Sequence, residues 1–269
     1  MSTSVAPSPS QAPSPRRRHR GRNALIAIIV IVALLIVAFF VGDYFAKQYA
    51  TNYVKQQVAT ALGLSSTAPV KVDLGSGSIL LQAAAGSIDN ATVDVSPLVI
   101  DGLTGSATVT AHGVPLSSTT PVKQLSVDVT VPEATITKAI GLVPSLKAFS
   151  PTATISGQHV VVNGTVSVFG FVQHIGVTLQ PKVSAGTPSF AILSAQFNGA
   201  TISITELNKY LPGLSSALEA GTTLCIANQL PKSFVLTGIT LQGSSLVSTF
   251  TGNGVELNDA SLKQRGTCA

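Results

Sequence analysis

The 269-residue chain has no tryptophan, one methionine, two cysteines and four histidines, and only 10% of its residues carry formal charge. The scarcities exclude several chemistries. His112, His159 and His174 have no Cys, Asp or Glu at ligand spacing, and no H-E-x-x-H motif occurs, so no metal site is expected. No G-x-S-x-G elbow, no phosphate-cradling loop ending in Lys-Ser/Thr and no G-x-G-x-x-G after a strand is present, so no cofactor is expected. The acids are spread singly, and the reading is of a protein that is not an enzyme, with no catalytic residue to name. A triad assembled only in space would leave no local trace.

Long apolar runs are also scarce, with one exception. Ala24 to Val41 reads ALIAIIVIVALLIVAFFV, without a charge, an amide or a proline. As a helix it would be about 27 Å long, close to the hydrocarbon thickness of a bilayer. A core helix keeps a polar face, and this stretch has none. Arg16, Arg17, Arg18, Arg20 and Arg22 precede it, whereas Asp43 and Lys47 are the first charges after it. Cationic flanks stay in the cytoplasm, so the N-terminus is expected inside and residues 42–269 on the extracytoplasmic, periplasmic side. The apolar run is longer than a signal-peptide core. Its best cleavage candidate, Tyr44-Phe45-Ala46, puts an aromatic where a small residue belongs, so the stretch reads as an uncleaved signal anchor. The expected organisation is a disordered basic cytoplasmic tail over 1–23, a transmembrane anchor over 24–41 and one exported domain over 42–269.

The net charge of +5 follows from that topology signal. The five arginines lie before the span, and beyond it eleven cations face eleven acids. No basic stripe remains to track a phosphate backbone, which excludes nucleic acid as a partner. Cys225 and Cys268 both lie beyond the span, where disulfides persist, and an even count argues for one bridge stapling the C-terminal tail. Asn90-Ala91-Thr92 and Asn163-Gly164-Thr165 match the glycosylation pattern, which matters only in a eukaryotic secretory pathway.

From Gly42 to Leu62, Phe45, Tyr49, Tyr53, Val54, Val58 and Leu62 fall at helical spacing, with Gly63 as a C-cap. This amphipathic helix would either pack on the following sheet or lie against lipid headgroups. From Val70 the period changes to two. Val70, Val72 and Leu74, then Val93 and Val95, Val109 and Ala111, and Leu125 to Val131 alternate with polar residues. Turn signals stand at Gly75-Ser76-Gly77, Asp89-Asn90, Ser96-Pro97, Asp101-Gly102 and Gly113. Ile136-Thr137 with Pro144 recurs as Ile204-Thr205 with Pro212, 68 residues on, and Ser203 with Glu206 has capping-box spacing. Strands resume after each copy. The expected fold class is α+β: a transmembrane helix, then a mostly antiparallel sheet with amphipathic helices laid against it. A groove between sheet and helices, lined by Val, Ile, Leu and Phe, would suit acyl chains, at roughly 0.8 kcal/mol per buried CH₂.

The run Leu80 to Pro115, LLQAAAGSIDNATVDVSPLVIDGLTGSATVTAHGVP, resembles the opening β-meander of the actinobacterial LmeA-type phospholipid-binding family. The pattern is Gly86, an alternating strand, the Gly102-Leu103 step, and a second strand ending before Gly113-Val114. The helix after Ile204-Thr205 and the stretch Leu230 to Leu257 are similar to that family's C-terminal half. The resemblance implies a BPI-like, tubular lipid-binding fold: a curved sheet wrapped on a helix around an acyl-chain cavity. It implies envelope proteins that bind phospholipids such as phosphatidylinositides, one of them linked to the mannan chain of lipomannan. It marks no individual ligand-binding residue. The expected partners are membrane phospholipid, the inner membrane through the anchor, and envelope glycosyltransferases. A non-enzymatic β-rich scaffold recruiting envelope-biosynthesis proteins is the alternative.

Overall fold

The computed structural model describes residues 20–61, 64, 69–100, 102–142, 149–168, 170–203, 206, 209, 227–252, 254–256 and 258–267. Residues 1–19 of the expected tail over 1–23, the Gly63 cap, Pro144, Ile204-Thr205, Pro212, Cys225 and Cys268 lie outside them, whereas residues 20–23, expected in a disordered tail, are already helical. The chain divides into two units, Met1–Phe45 and Ala46–Ala269.

In the first unit the described residues belong to α1 (Arg20–Ala61), a helix that continues into the second unit without a break. The segment Ile29–Thr60 holds an 18-residue window of mean hydropathy 2.6, none of it buried, and is long and apolar enough to cross a membrane.

In the second unit, α1 is followed by β1 (Val70–Asp73), α2 (Ile79–Ala84), β2 (Ser87–Ile100), β3 (Leu103–Pro115) and β4 (Gln124–Pro132). Then come α3 (Glu133–Gly141), β5 (Thr152–Ser156), β6 (His159–Val168), β7 (Phe171–Ser184), β8 (Thr187–Phe197) and β9 (Ala200–Ile202). After a short 3₁₀ turn at Ala227–Gln229, β10 (Phe234–Gln242), β11 (Ser245–Gly252) and α4 (Asp259–Lys263) follow. The strands form two antiparallel sheets. One has six strands in the order β1-β2-β3-β4-β11-β10, the other five in the order β5-β6-β7-β8-β9. The α+β reading and the alternating strands from Val70 onward hold.

Some local expectations do not. Asp89-Asn90 and Ser96-Pro97 are not turns but lie inside the 14-residue β2. Asn90 stays in the ladder opposite His112, and the register shift between Val95 and Leu98 is a bulge that takes up Pro97, which has no N–H to give the ladder. The helix α2 leaves no signal in the sequence, because six residues are too few to show a period. Its start is fixed by Ser78, whose hydroxyl accepts from the Leu81 N–H at 3.3 Å. Buried Gln82 on this helix accepts from the Asp89 N–H at 2.7 Å.

The outer part of α1 packs by a different face from the one its aromatics suggest. Val54 and Val58 lie against Val70, Val93 and Val95, whereas Tyr49 and Tyr53 are 74% and 55% exposed. Alanines share the packed side of the helix, and Ala59 is buried. Small residues allow close approach to the sheet, while a tyrosine tolerates water at its hydroxyl. Lys47 donates to the Gly75 carbonyl, and the Leu64 N–H reaches back to the Ala59 carbonyl at 2.8 Å, a helix-ending 6→1 bond.

Candidate functional site

The six-stranded sheet is amphipathic. Residues paired across an antiparallel ladder share a face, so the register can be read from strand to strand. Val72 pairs with Val93, Val93 with Val109, Val109 with Val127, Val127 with Phe250, and Phe250 with Leu236. One apolar row therefore crosses all six strands. The neighbouring rows on that face continue it through Val70, Val95, Ala107 and Val129 on one side, and Ala91, Ala111 and Leu125 on the other. The opposite face carries Lys71, Asp94, Thr108, Asp128 and Thr249 in register. There Thr108 donates to Asp94 at 2.7 Å and Thr249 to Asp128 at 2.6 Å, so the carboxylates are held within their own sheet.

Cover over the apolar face comes from its rims. Toward β1 and β2, Val54 and Val58 of α1 close over Val93 and Val95. Toward β10 and β11, Ile136 and Ile140 of α3 meet Leu241 and Leu246 together with Ala153 and Val160 of the second sheet. Along one end, Val122, Val255 and Leu262 of α4 close over Ala111 and Leu125. Gly252 makes that closure possible, since a Cβ there would come within 2.5 Å of the Val255 side chain. At the rims Leu236 and Val95 are 2% exposed. In the middle Val109, Val127, Val129 and Phe250 are only half-buried. The apolar face is thus sealed at its borders and partly open at its centre among the described residues.

The histidines are not brought together. His112 lies in β3 and its Nδ1 meets Asn90 Oδ1 at 2.6 Å; it is in a ladder, not the turn expected from Gly113. His159 opens β6 after the turn at Gly157, and His174 lies in β7. Among the described residues no group of three or more His, Cys, Asp or Glu side chains could hold a metal ion. The capping box read from Ser203 and Glu206 is present. The Glu206 N–H donates to Ser203 Oγ at 3.1 Å, and the Ser203 N–H donates to Glu206 Oε2 at 2.9 Å. The Ser203 backbone N–H, then its hydroxyl, hold the Glu206 carboxyl below the usual carboxylate range. Cross-strand register supplies what sequence reading missed: alternation shows that each strand has an apolar face, but not which residues meet in one row.

An α+β protein with an amphipathic sheet, partly open on its apolar side and preceded by a long apolar helix, is the class that these features define. The chain belongs to the LmeA-like phospholipid-binding family, whose model matches residues 41–251. That family is described by what it binds and not by a reaction. No curated protein and no solved structure matches the chain.

Proposed function

We propose that the protein binds phospholipid by laying acyl chains on the apolar face of the six-stranded sheet, while α1 anchors it in the membrane. The observation that carries this reading is the row Val72–Val93–Val109–Val127–Phe250–Leu236, half-covered at its centre. A centre left open costs the apo protein hydrophobic stabilisation, and an acyl chain laid there returns roughly 0.8 kcal/mol per buried CH₂. The polar face behind it, with its paired threonines and aspartates, keeps that side in water. The arginines before the span support a cytoplasmic N-terminus and an extracytoplasmic lipid-binding domain. Transfer of lipid toward envelope and lipoglycan assembly, with envelope glycosyltransferases as receiving partners, completes the reading.

The test uses the full chain in nanodiscs containing a phospholipid with a photoactivatable acyl chain. Adducts on β3, β4 and β11 around Val109, Val127 and Phe250 are expected. Adducts confined to residues 24–45 would reduce the lipid contact to the anchor's surroundings and end the proposal.

The Cys225–Cys268 bridge is part of the same reading. The segments beside the two cysteines run together: the Gly266 N–H donates to the Leu230 carbonyl at 3.1 Å, the Lys232 N–H donates to the Gln264 carbonyl at 2.7 Å, and Pro231 pairs antiparallel with Arg265. A Cβ on Gly266 would come within 2.9 Å of the Ala227 carbonyl oxygen. Each cysteine is two residues from this contact, which supports a staple closing the C-terminal tail onto the sheet.

A further inference from the structure

The five-stranded sheet has a polar face as well. Its apolar side, carrying Ala153, Val160, Val177 and Ala195, is buried. On the other side Thr152 pairs with Asn163, Asn163 with Gly176, and Gly176 with Gln196; one step along, Thr165 pairs with His174. Gly176 is buried and presents no side chain. A Cβ built there would lie 3.1 Å from Asn163 Oδ1 and 3.6 Å from Gln196 Oε1, so two amides lean over one bare glycine from opposite strands. The hollow has a volume of about 340 Å³ and is also lined by Thr165, His174 and Ser150. That is the small end of the range for ligand pockets, roughly 300–1,000 Å³. Ser150 holds φ at +44°, a left-handed conformation that non-glycine residues seldom take outside functional sites and tight turns.

Two properties narrow the ligand. The side chains of Asn163, Thr165, His174 and Gln196 make no hydrogen bond to another described residue, so their donors and acceptors are uncommitted. Between Thr152 and Ile202 the one formally charged side chain is Lys182, and it does not line the hollow. Phosphate, carboxylate and ammonium groups would therefore find no counter-charge. Amides, a hydroxyl and an imidazole that both donate and accept, gathered around a floor with no side chain of its own, match adjacent hydroxyls of a ring.

We propose that this hollow binds one ring of a neutral polyol or sugar, either as a soluble glycan end or as the headgroup of a glycolipid. The proposal concerns a different sheet from the acyl-binding reading and does not depend on it.

The test follows the His174 ring-proton NMR signal in the detergent-solubilised full chain, assigned by loss in His174→Asn. One arm adds methyl α-D-glucopyranoside and methyl α-D-galactopyranoside; the other dopes the micelles with glucosyl or galactosyl diacylglycerol against plain diacylglycerol. A saturable shift in the first arm identifies a free sugar site, and a shift in the second arm alone identifies a headgroup site. Asn163→Ala and Gln196→Ala, both at exposed positions, are each expected to weaken binding about tenfold, the loss of one or two hydrogen bonds. Gly176→Val should abolish binding by filling the floor. No saturable shift in either arm, or equal binding by the wild type and both alanine variants, would overturn the proposal.

Discussion

Thr137 of α3 satisfies both backbone groups of Ala153 in β5. The Ala153 N–H donates to Thr137 Oγ1 at 2.8 Å, and the same hydroxyl donates to the Ala153 carbonyl at 3.2 Å. Glu133, one helical turn earlier, accepts from the Ile155 N–H at 3.1 Å. β5 is an edge strand, so these groups would otherwise face an open edge. The helix stands where a further strand would pair.

Thr137→Val keeps the volume and removes the hydroxyl. Ala153 is 4% exposed, so its N–H would be left buried and unpaired. A loss of about 1–3 kcal/mol is expected in denaturant unfolding of the full chain in detergent, with Thr137→Ser close to wild type. A valine variant as stable as the parent would show that water takes over the edge.

This contact illustrates what sequence reading reaches. The echo of Ile136-Thr137 in Ile204-Thr205 reads as a short helix after a strand, and in the first copy that helix, α3, is present. Nothing in the spacing tied Thr137 to Ala153 sixteen positions on, because edge protection is a tertiary relation. The same holds for the candidate site. Val93, Val109 and Val127 each read as strand residues facing a core, but their alignment into one row depends on register, which turns and bulges set. β2 runs past Asp89-Asn90 and Ser96-Pro97, dipeptides that normally break strands, because pairing with β3 carries it through both. Helical spacing puts Val54, Val58, Tyr49 and Tyr53 on one helix, but only the packing shows that the valines meet the sheet and the tyrosines stay exposed.

Glu206 gives a pH signature. Its carboxyl is held below the ordinary value of 4.5 by Ser203. A group with a lowered folded pKa adds stability that is complete above the unfolded value and is lost as pH falls through the folded one. Wild type should therefore melt above Glu206→Gln at neutral pH, with the two curves converging below pH 4.5. Ser203→Ala should move the Glu206 titration back up, as read by carboxylate NMR. An unchanged titration in that variant would assign the shift to other neighbours.

The proposed bridge predicts that Cys225 and Cys268 resist alkylation until a reductant is added, in material from an oxidising compartment. Closing a loop of about 43 residues is worth roughly 4 kcal/mol on the chain-entropy model. Cys225→Ser and Cys268→Ser should each lower the melting temperature, and their combination should cost no more than either alone. Additive losses would mean that the two residues act separately.

A chain without tryptophan accepts a single clean reporter. Phe250→Trp places one at the centre of the apolar row. Its emission should shift to the blue on adding phospholipid and be quenched by brominated acyl chains. A tryptophan at Gln158, in the exposed turn before β6, should respond to neither. Equal quenching at both positions would argue against a localised acyl site.

The five-stranded sheet carries a single formal charge across its strands, Lys182. Such a surface projects almost no field beyond a Debye length, about 8–10 Å in ordinary buffers. Whatever reaches its polar hollow arrives without electrostatic steering and is selected only at contact. Capture there should proceed at the same rate in dilute buffer and in strong salt.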